Sequence, residues 1–263
     1  MIKRLLRRVL NQLGFEPVRK AEFERLVNFA KRQHPSASLW SVLNQSQRGL
    51  IGNYMEQSKS QLAQDLFVLS QLGKDTDKKF FVEFGATNGI DLSNTWLLEH
   101  AFGWTGILAE PAKIWHRQLA ENRKCRIDYR CVYSESGLSL GFTEAKSAEL
   151  SGISKEIRAS DQHSKQRFEG NTSYLVPTIS LNDLLTEGSA PDVIGYMSVD
   201  TEGSEFTVLN KLDFDRWKFM VITVEHNFCE PSRSKIRDLL LRNGYEQKFP
   251  DISRWDDWYV LRD

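Results

Sequence analysis

The chain has 263 residues, enough for one large domain with its own core and an extension. Its 35 Lys and Arg residues equal its 35 Asp and Glu residues, so it lacks the positive charge of a general nucleic-acid binder. No apolar run approaches the ~18 residues of a transmembrane helix, and three cysteines without metal-type spacing indicate a reducing cytoplasm.

The first thirteen residues have a basic amphipathic pattern. From Met1 to Leu13, apolar residues recur at helical spacing, and four basic residues occupy the other face. A signal peptide is a poor fit, because basic residues interrupt the apolar run and no small-residue cleavage site follows. Two interpretations stay open: peripheral contact with an anionic inner membrane face, or packing on the domain or a partner.

The rest of the N-terminal region is predicted to be mostly helical. Residues 35–55 look irregular, but helical periodicity returns over residues 57–72, with Gly73 as a stop. We therefore predict an N-terminal helical extension over residues 1–75 and an α/β domain over residues 76–263. The oligomeric state is left open.

The stretch FFVEFGATNGIDLSNT, from Phe80 to Thr95, predicts a strand, a glycine turn and a helix. Phe80 to Phe84 is apolar apart from Glu83, as in a strand that is buried on both faces of a parallel sheet. A helix is predicted from Asp91, its N-cap. The turn between them is made of small or turn-prone residues that let the backbone approach a ligand: Gly85, Ala86, Thr87, Asn88 and Gly89. This order opens a nucleotide-binding α/β sheet, with an ordinary strand–loop–helix corner as the alternative.

The chemistry of this turn favours a ligand without phosphate. A pyrophosphate needs converging N–H groups and no negative charge nearby, whereas Glu83 lies two residues before Gly85. S-adenosylmethionine carries an ammonium, a sulfonium and an adenosine, which suit such a site. The second predicted strand, Trp104 to Glu110, ends in an acid that is followed by Pro111. An acid at this point accepts hydrogen bonds from a ribose diol in NAD enzymes as well, so Glu110 indicates only an adenosine ligand.

Three ordered runs, FFVEFGATNGIDLSNTWLLE, WTGILAEPA and YMSVDTEGSEFTVL, resemble the FkbM-type family of S-adenosylmethionine-dependent methyltransferases. The likeness extends from about Gln61 to the C-terminus. It implies a class I methyltransferase fold, a Rossmann-like α/β sheet of seven strands with the last strand antiparallel. It also implies S-adenosylmethionine as cofactor and a small-molecule or glycan acceptor, with a sugar hydroxyl as the methylated group.

The third strand is predicted over Arg126 to Cys131. In this fold class, the residues just after that strand meet the adenine edge, and the candidates are Cys131, Val132 and Tyr133. Residues 137–176 are polar and weakly patterned. An insertion at this point commonly caps the pocket and contacts the acceptor.

Two further predicted strands, Ile194 to Asp200 and Phe219 to Glu225, each end in an acid. Open α/β sheets bind ligands at the carboxyl ends of their strands, so the acids here are expected to act on the substrates. The candidate catalytic residues are Asp200, Glu202, Glu225 and His226, and Asp200 is also a candidate for binding the cofactor. For Glu205, a role in the first turn of a helix is preferred, where an acid complements the helix dipole.

A hydroxyl acceptor needs a base or a metal near its oxygen. His226 as base, without metal, is the simpler mechanism, and a divalent metal held by Asp200, Glu225 and His226 is the alternative. Two other function classes stay open. One is an NAD-dependent oxidoreductase, which Glu83 disfavours, and the other is a module that binds an adenosine cofactor without catalysis.

Overall fold

The computed structural model describes residues 35–146, 149, 151–154 and 171–262. The basic amphipathic helix predicted for Met1 to Leu13 lies outside these residues, as does much of the predicted insertion. Within the described part, no helix is long and apolar enough to cross a membrane.

Eleven strands occur among the described residues, and they form two sheets. In chain order they are β1 Phe80–Phe84, β2 Thr105–Ala109, β3 Arg126–Asp128, β4 Cys131–Tyr133, β5 Ser139–Glu144, β6 Gly152–Ile153, β7 Thr172–Ser180, β8 Val193–Val199, β9 Lys218–Glu225, β10 Tyr245–Lys248 and β11 Asp256–Leu261. The main sheet has the order β3-β2-β1-β8-β9-β11-β10, and the smaller sheet has the order β4-β7-β5-β6.

The main sheet has the topology of class I methyltransferases. Strands β3, β2, β1, β8 and β9 are parallel to their neighbours, whereas β11 is antiparallel to both β9 and β10. The chain leaves β1 towards β2 on one side and later returns to β8 on the other. Such a reversal of strand order opens a crevice at the carboxyl ends of the strands. The predicted fold class is confirmed.

The described helices cover both faces of the main sheet, and the two helices predicted from residue 57 and from Asp91 begin later, at Gln64 and Trp96. They are α1 Pro35–Val42, α2 Gln45–Gly52, α3 Gln64–Leu72, α4 Trp96–Phe102, α5 His116–Asn122, α6 Leu181–Glu187, α7 Glu205–Leu209 and α8 Ser232–Arg242. The prediction that residues 35–55 are irregular is wrong, because α1 and α2 lie there. Asn44 and Gln47 form a capping box that starts α2, each side chain accepting a hydrogen bond from the other's backbone N–H.

Central strands of the main sheet are buried on both faces, as their apolar sequences predict. Phe81 and Val82 of β1 and Ile222 of β9 have no exposed surface. One layer of the core packs Phe81 against α3 residues such as Phe67, and the other packs Val82 against residues of α6. The rigid sheet between these layers fixes the positions of the strand ends that carry the candidate residues.

The helix predicted from Asp91 begins only at Trp96, because the intervening loop is bound by a buried acid. Glu83 accepts hydrogen bonds from the Asn94 N–H at 2.7 Å and from the hydroxyls of Ser93 and Thr95. These bonds replace the helical ones, and Leu92 adopts a left-handed φ of 62°.

Arg123, directly after α5, completes this buried network. Its guanidinium bonds the Glu99 carboxylate at 2.7 Å, the Gly89 carbonyl at 3.2 Å and the Thr95 hydroxyl at 2.9 Å. It also lies 3.7 Å from Glu83, and both side chains are almost fully buried. The ion pair therefore ties the turn after β1 to the end of α5.

Replacing Arg123 with leucine is expected to lower the free energy of unfolding by about 3–5 kcal/mol, because Glu83 would keep a buried, uncompensated charge. Urea denaturation measures the change. Arg117→Leu, in α5 itself, is the matched control, since Arg117 pairs with Glu121 in solvent and its loss should cost no more than about 0.5 kcal/mol. Equal losses in the two variants would contradict a special role for Arg123.

Candidate functional site

A cavity of about 410 Å³ lies at the carboxyl ends of β1, β2, β8 and β9. Its volume falls within the range of small-molecule sites. The predicted site residues that line it are Glu83, Gly85, Thr87, Glu110, Pro111, Cys131, Val132, Asp200, Glu202 and Glu225. Five other candidates, Ala86, Asn88, Gly89, Tyr133 and His226, are not part of the lining.

The glycine turn is shaped by its own packing as well as by the cavity. Gly85 has a φ of +72°, and a Cβ atom there would lie 2.5 Å from the backbone oxygen of Asp200. A Cβ atom on Gly89 would lie 2.6 Å from the side chain of Arg123. Asn88 accepts hydrogen bonds from the N–H groups of Ile90 and Asp91. Gly85 thus permits the close approach of β1 to β8, and Asn88 and Gly89 hold the turn together.

Glu110 lies at the end of β2 and is 4% exposed. One carboxylate oxygen accepts the N–H of Thr87 and the other accepts the N–H of Ala112, each at 2.8 Å. Each oxygen keeps a second lone pair, which suits the two hydroxyls of a ribose. Burial raises the pKa of Glu110 to about 7, although the two backbone hydrogen bonds oppose the shift.

An apolar wall adjoins Glu110 and suits a flat ring such as adenine. Cys131 and Val132 were expected at the end of the third strand of the main sheet, but β3 ends at Asp128. Instead, both residues belong to β4, which pairs with β7 in the smaller sheet. Phe142 and Ile153 of that sheet also line the cavity. The smaller sheet therefore closes one side of the site.

Three acids meet at the ends of β8 and β9. A carboxylate oxygen from each of Asp200, Glu202 and Glu225 lies within 4.8 Å of the others. Burial and the charge of Asp256 raise the pKa of Asp200 to about 7, against a hydrogen bond with Glu225. Burial and the charge of Asp200 raise the pKa of Glu225 well above its usual value. The group can accept a proton or bind a cation.

His226 follows Glu225 in sequence but is turned away from the three acids. Its Nδ1 accepts the N–H of Phe228 at 2.9 Å, and its Nε2 lies 3.5 Å from Asp257. The ring is buried outside the cavity lining. The described metal-ligating set contains Glu202 in the place predicted for His226. This geometry does not favour His226 as a base or a ligand.

Several lining residues were not predicted from the sequence. Gln61, Leu92 and Asn94 come from loops around β1, and Asn227 and Trp255 from loops around β9 and β11. The Asn94 side-chain oxygen is buried and has no hydrogen-bond partner among the described residues. Trp255 directly precedes β11, the antiparallel last strand, so its place at this edge follows from the fold. The others depend on loop conformations that have no sequence period.

A comparison with protein families identifies the family of this chain. A family model described as Methyltransferase FkbM domain matches residues 83–246, more than half of the chain. The chain belongs to the FkbM methyltransferase family. Its predicted family is confirmed, which makes the chain an S-adenosylmethionine-dependent methyltransferase.

Solved structures similar to this FkbM-family chain are distant. A precorrin-6y C5,15-methyltransferase from Geobacter metallireducens is 10% identical over 76% of this chain and 87% of its own, with a TM-score of 0.39. The plantazolicin methyltransferase BpumL, solved in complex with SAH, is 9% identical over 91% of this chain and 99% of its own, with a TM-score of 0.36. No curated protein gives a significant match.

The stability of this FkbM-family protein should fall between pH 5 and pH 8. A carboxyl group whose pKa is raised on folding contributes stability below its unfolded pKa of about 4, and that contribution is lost as the pH rises through the folded value. For Asp200 the folded value is about 7. Asp200→Asn should therefore show a smaller fall in Tm from pH 5 to pH 8 than the wild type.

Thermal melts at the two pH values measure this difference, with Asp75→Asn as the control because Asp75 is exposed and remote from the cavity. Each kcal/mol retained corresponds to roughly 2–4 °C. Equal falls in Tm in Asp200→Asn, Asp75→Asn and the wild type would show that ionisation of Asp200 does not destabilise the folded protein.

Proposed function

We propose that this protein transfers a methyl group from S-adenosylmethionine to a hydroxyl of a neutral acceptor, of which a sugar or glycan is the leading class. The observation that carries the proposal is the pair of buried carboxyl groups, Asp200 and Glu225, at adjacent strand ends in the cavity. Both have raised pKa values and they share a hydrogen bond.

The donor half of the cavity suits S-adenosylmethionine. Glu110 offers two lone pairs beside the N–H groups of Thr87 and Ala112, as a ribose diol requires. Pro111, Val132 and neighbouring apolar side chains line the wall next to it. S-adenosylmethionine supplies an electrophilic methyl group on a positively charged sulfur, and an acidic cavity favours that charge.

The acceptor half supplies a base. A base works best when its pKa lies near the operating pH, and that of Asp200 is raised to about 7. The Asp200 and Glu225 pair can hold one proton between them and take a second from the hydroxyl. Asn227 donates its side-chain N–H to Glu225 at 2.8 Å and so fixes the direction of that carboxyl group.

Charge in the cavity indicates the acceptor class. Six acids line it, Glu83, Glu110, Glu149, Asp200, Glu202 and Glu225, and no Lys, Arg or His does so among the described residues. An acceptor with phosphate or carboxylate groups near the reacting hydroxyl would be repelled. A neutral polyhydroxyl acceptor fits, and nucleic acid does not.

The alternatives have weaker support. A divalent metal held by Asp200, Glu202 and Glu225 would suit their oxygen ligands and would act by lowering the pKa of the acceptor hydroxyl. An NAD-dependent oxidoreductase or a non-catalytic module would not need two strained acids beside the donor site. The three free cysteines, Cys125, Cys131 and Cys229, accord with a cytoplasmic location.

Glu110→Ala is expected to weaken binding of S-adenosylmethionine by about 1.5–3 kcal/mol, the scale of a hydrogen bond to a charged group. Isothermal titration of the folded variant measures the loss. Glu121→Ala is the control, because Glu121 lies in solvent on α5. Unchanged affinity in Glu110→Ala would remove the ribose assignment.

The reaction itself is tested with radiolabelled S-adenosylmethionine and paired acceptors, each a neutral glycoside and its phosphorylated form. Methylation is expected on the neutral member. Asp200→Asn and Glu225→Gln should each lower turnover by roughly 10²–10⁴-fold, with Glu121→Gln as the control.

A chelator distinguishes the two mechanisms. Undiminished turnover in EDTA supports the carboxyl base, and loss that Mg²⁺ restores supports the metal. Preference for the phosphorylated acceptors, or full turnover in both acid variants, would contradict the proposal.

A further inference from the structure

The loop after β9 contains two consecutive residues in the left-handed region. Asn227 has a φ of 46° and Phe228 a φ of 56°. Residues other than glycine adopt this backbone conformation at a cost in free energy, so neighbouring contacts must hold it in place. Both residues follow His226, and Asn227 lines the cavity.

The His226 ring supplies one of these contacts. Its Nδ1 accepts the backbone N–H of Phe228 at 2.9 Å, which closes the turn on itself. Because Nδ1 accepts a hydrogen, the proton of the neutral ring lies on Nε2. That nitrogen faces the Asp257 carboxylate at 3.5 Å. Both nitrogens are therefore used away from the cavity.

Asp257 is a firm anchor for the ring. Arg233 donates two hydrogen bonds to its carboxylate, at 2.9 and 2.8 Å, and Gln247 donates a third at 2.8 Å. The backbone adds a second attachment, since the carbonyl of Trp255 accepts the N–H groups of both His226 and Asn227. The ring is thus oriented from β11 and α8, whereas the turn itself is held by the Nδ1 bond to Phe228 and by the backbone bonds to Trp255.

The turn places one hydrogen-bond donor beside the proposed reacting groups. Asn227 donates its side-chain N–H to the Oε2 atom of Glu225 at 2.8 Å. Asn227 reaches back over two residues to do so, which its left-handed backbone makes geometrically accessible. Without the turn, Glu225 would lose the donor that orients it in the cavity.

We propose that His226 is a positioning residue: its neutral ring fixes the turn at Asn227 and Phe228 so that Asn227 holds the Glu225 carboxyl group in the methyl-transfer cavity. The importance of Glu225 rests on the proposed function, whereas the link from His226 through Asn227 rests on the geometry alone. A misplaced reacting group can cost on the order of 10²-fold in rate.

Two substitutions separate the roles of the two ring nitrogens, Nδ1 and Nε2. In His226→Asn, the side-chain oxygen takes the place of Nδ1 and keeps an acceptor for Phe228, while the link to Asp257 is lost. In His226→Gln, the side-chain N–H takes the place of Nε2 and keeps the link to Asp257, while the acceptor for Phe228 is lost. His226→Ala removes both.

The first readout needs no ligand. Nuclear magnetic resonance of the ¹⁵N-labelled protein reports whether the side-chain amide protons of Asn227 stay shifted and protected from exchange. We expect this signature in the wild type and in His226→Asn, and its loss in His226→Gln and His226→Ala. Loss in His226→Asn, or retention in His226→Ala, would overturn the link between the ring and Asn227.

The second readout compares two donor-site ligands by calorimetry. Sinefungin carries an ammonium group where the methyl group is attached in S-adenosylmethionine, and S-adenosylhomocysteine carries nothing there. The ratio of the two affinities reports how closely a carboxylate approaches the ammonium group of sinefungin. Glu225→Gln is expected to lower the ratio about tenfold. The proposal requires the same loss in His226→Gln and His226→Ala, and rescue in His226→Asn, with affinity for S-adenosylhomocysteine unchanged throughout.

The outcomes separate this proposal from the proposed function. Failure of the wild type to bind S-adenosylhomocysteine would contradict the function, and the resonance signature would still decide the role of His226. An equal ratio in all His226 variants, with normal wild-type binding and Glu225→Gln behaving as expected, would overturn the positioning role. Thermal melts confirm that each variant is folded.

Discussion

A buried pair of opposite charges, Glu83 and Arg123, organises the donor side of this protein. Burying a carboxylate in a sheet is costly without a cationic partner, since the carboxylate loses its contact with water. Arg123 supplies the charge, and the hydroxyls and N–H of the loop after β1 satisfy the remaining lone pairs. One consequence is that the loop cannot continue β1 or start α4 early. Its conformation is set by the acid beneath it.

The ends of β8 and β9 differ from this ion pair, because acids there lie next to other acids. Asp200, Glu225 and Glu202 share a small volume without a cation among the described residues that line it. Burial and the neighbouring negative charges raise the pKa values of Asp200 and Glu225, so these two carboxyl groups hold their protons to a higher pH than they would in solvent. A structural sheet edge would not keep such strain. An enzyme that must both receive a cationic donor and remove a proton has a use for it.

The sequence indicated the sheet well and the loops poorly, for a physical reason. Strands β1, β8 and β9 are apolar runs bounded by turn residues or acids, and burial on both faces leaves no other arrangement for them. By contrast, α4 begins late because Glu83 competes for the hydrogen bonds of its first turn. The orientation of His226 depends on Asp257, which is 31 positions away in a different strand. No local pattern can report a partner at that distance.

The candidate site shows the same division. Glu110, Asp200 and Glu225 were predictable because topology alone brings the ends of parallel strands together. Their roles depend on neighbours such as Asn227 and Ala112, whose positions come from the fold. Residues 137–176 were expected to cap the pocket, and within the described part Phe142 and Ile153 line the cavity. That part forms β5, β6 and the first part of β7 in the smaller sheet, where the polar sequence had shown only a weak pattern.

The contact between Gly85 and the carbonyl of Asp200 has one more consequence. The two backbones are so close that even a Cβ atom finds no space between them. The turn after β1 and the end of β8 that carries Asp200 are therefore in direct backbone contact, and a shift of either one requires the other to move. A substitution at Gly85 would therefore disturb the end of β8 as well as the turn after β1.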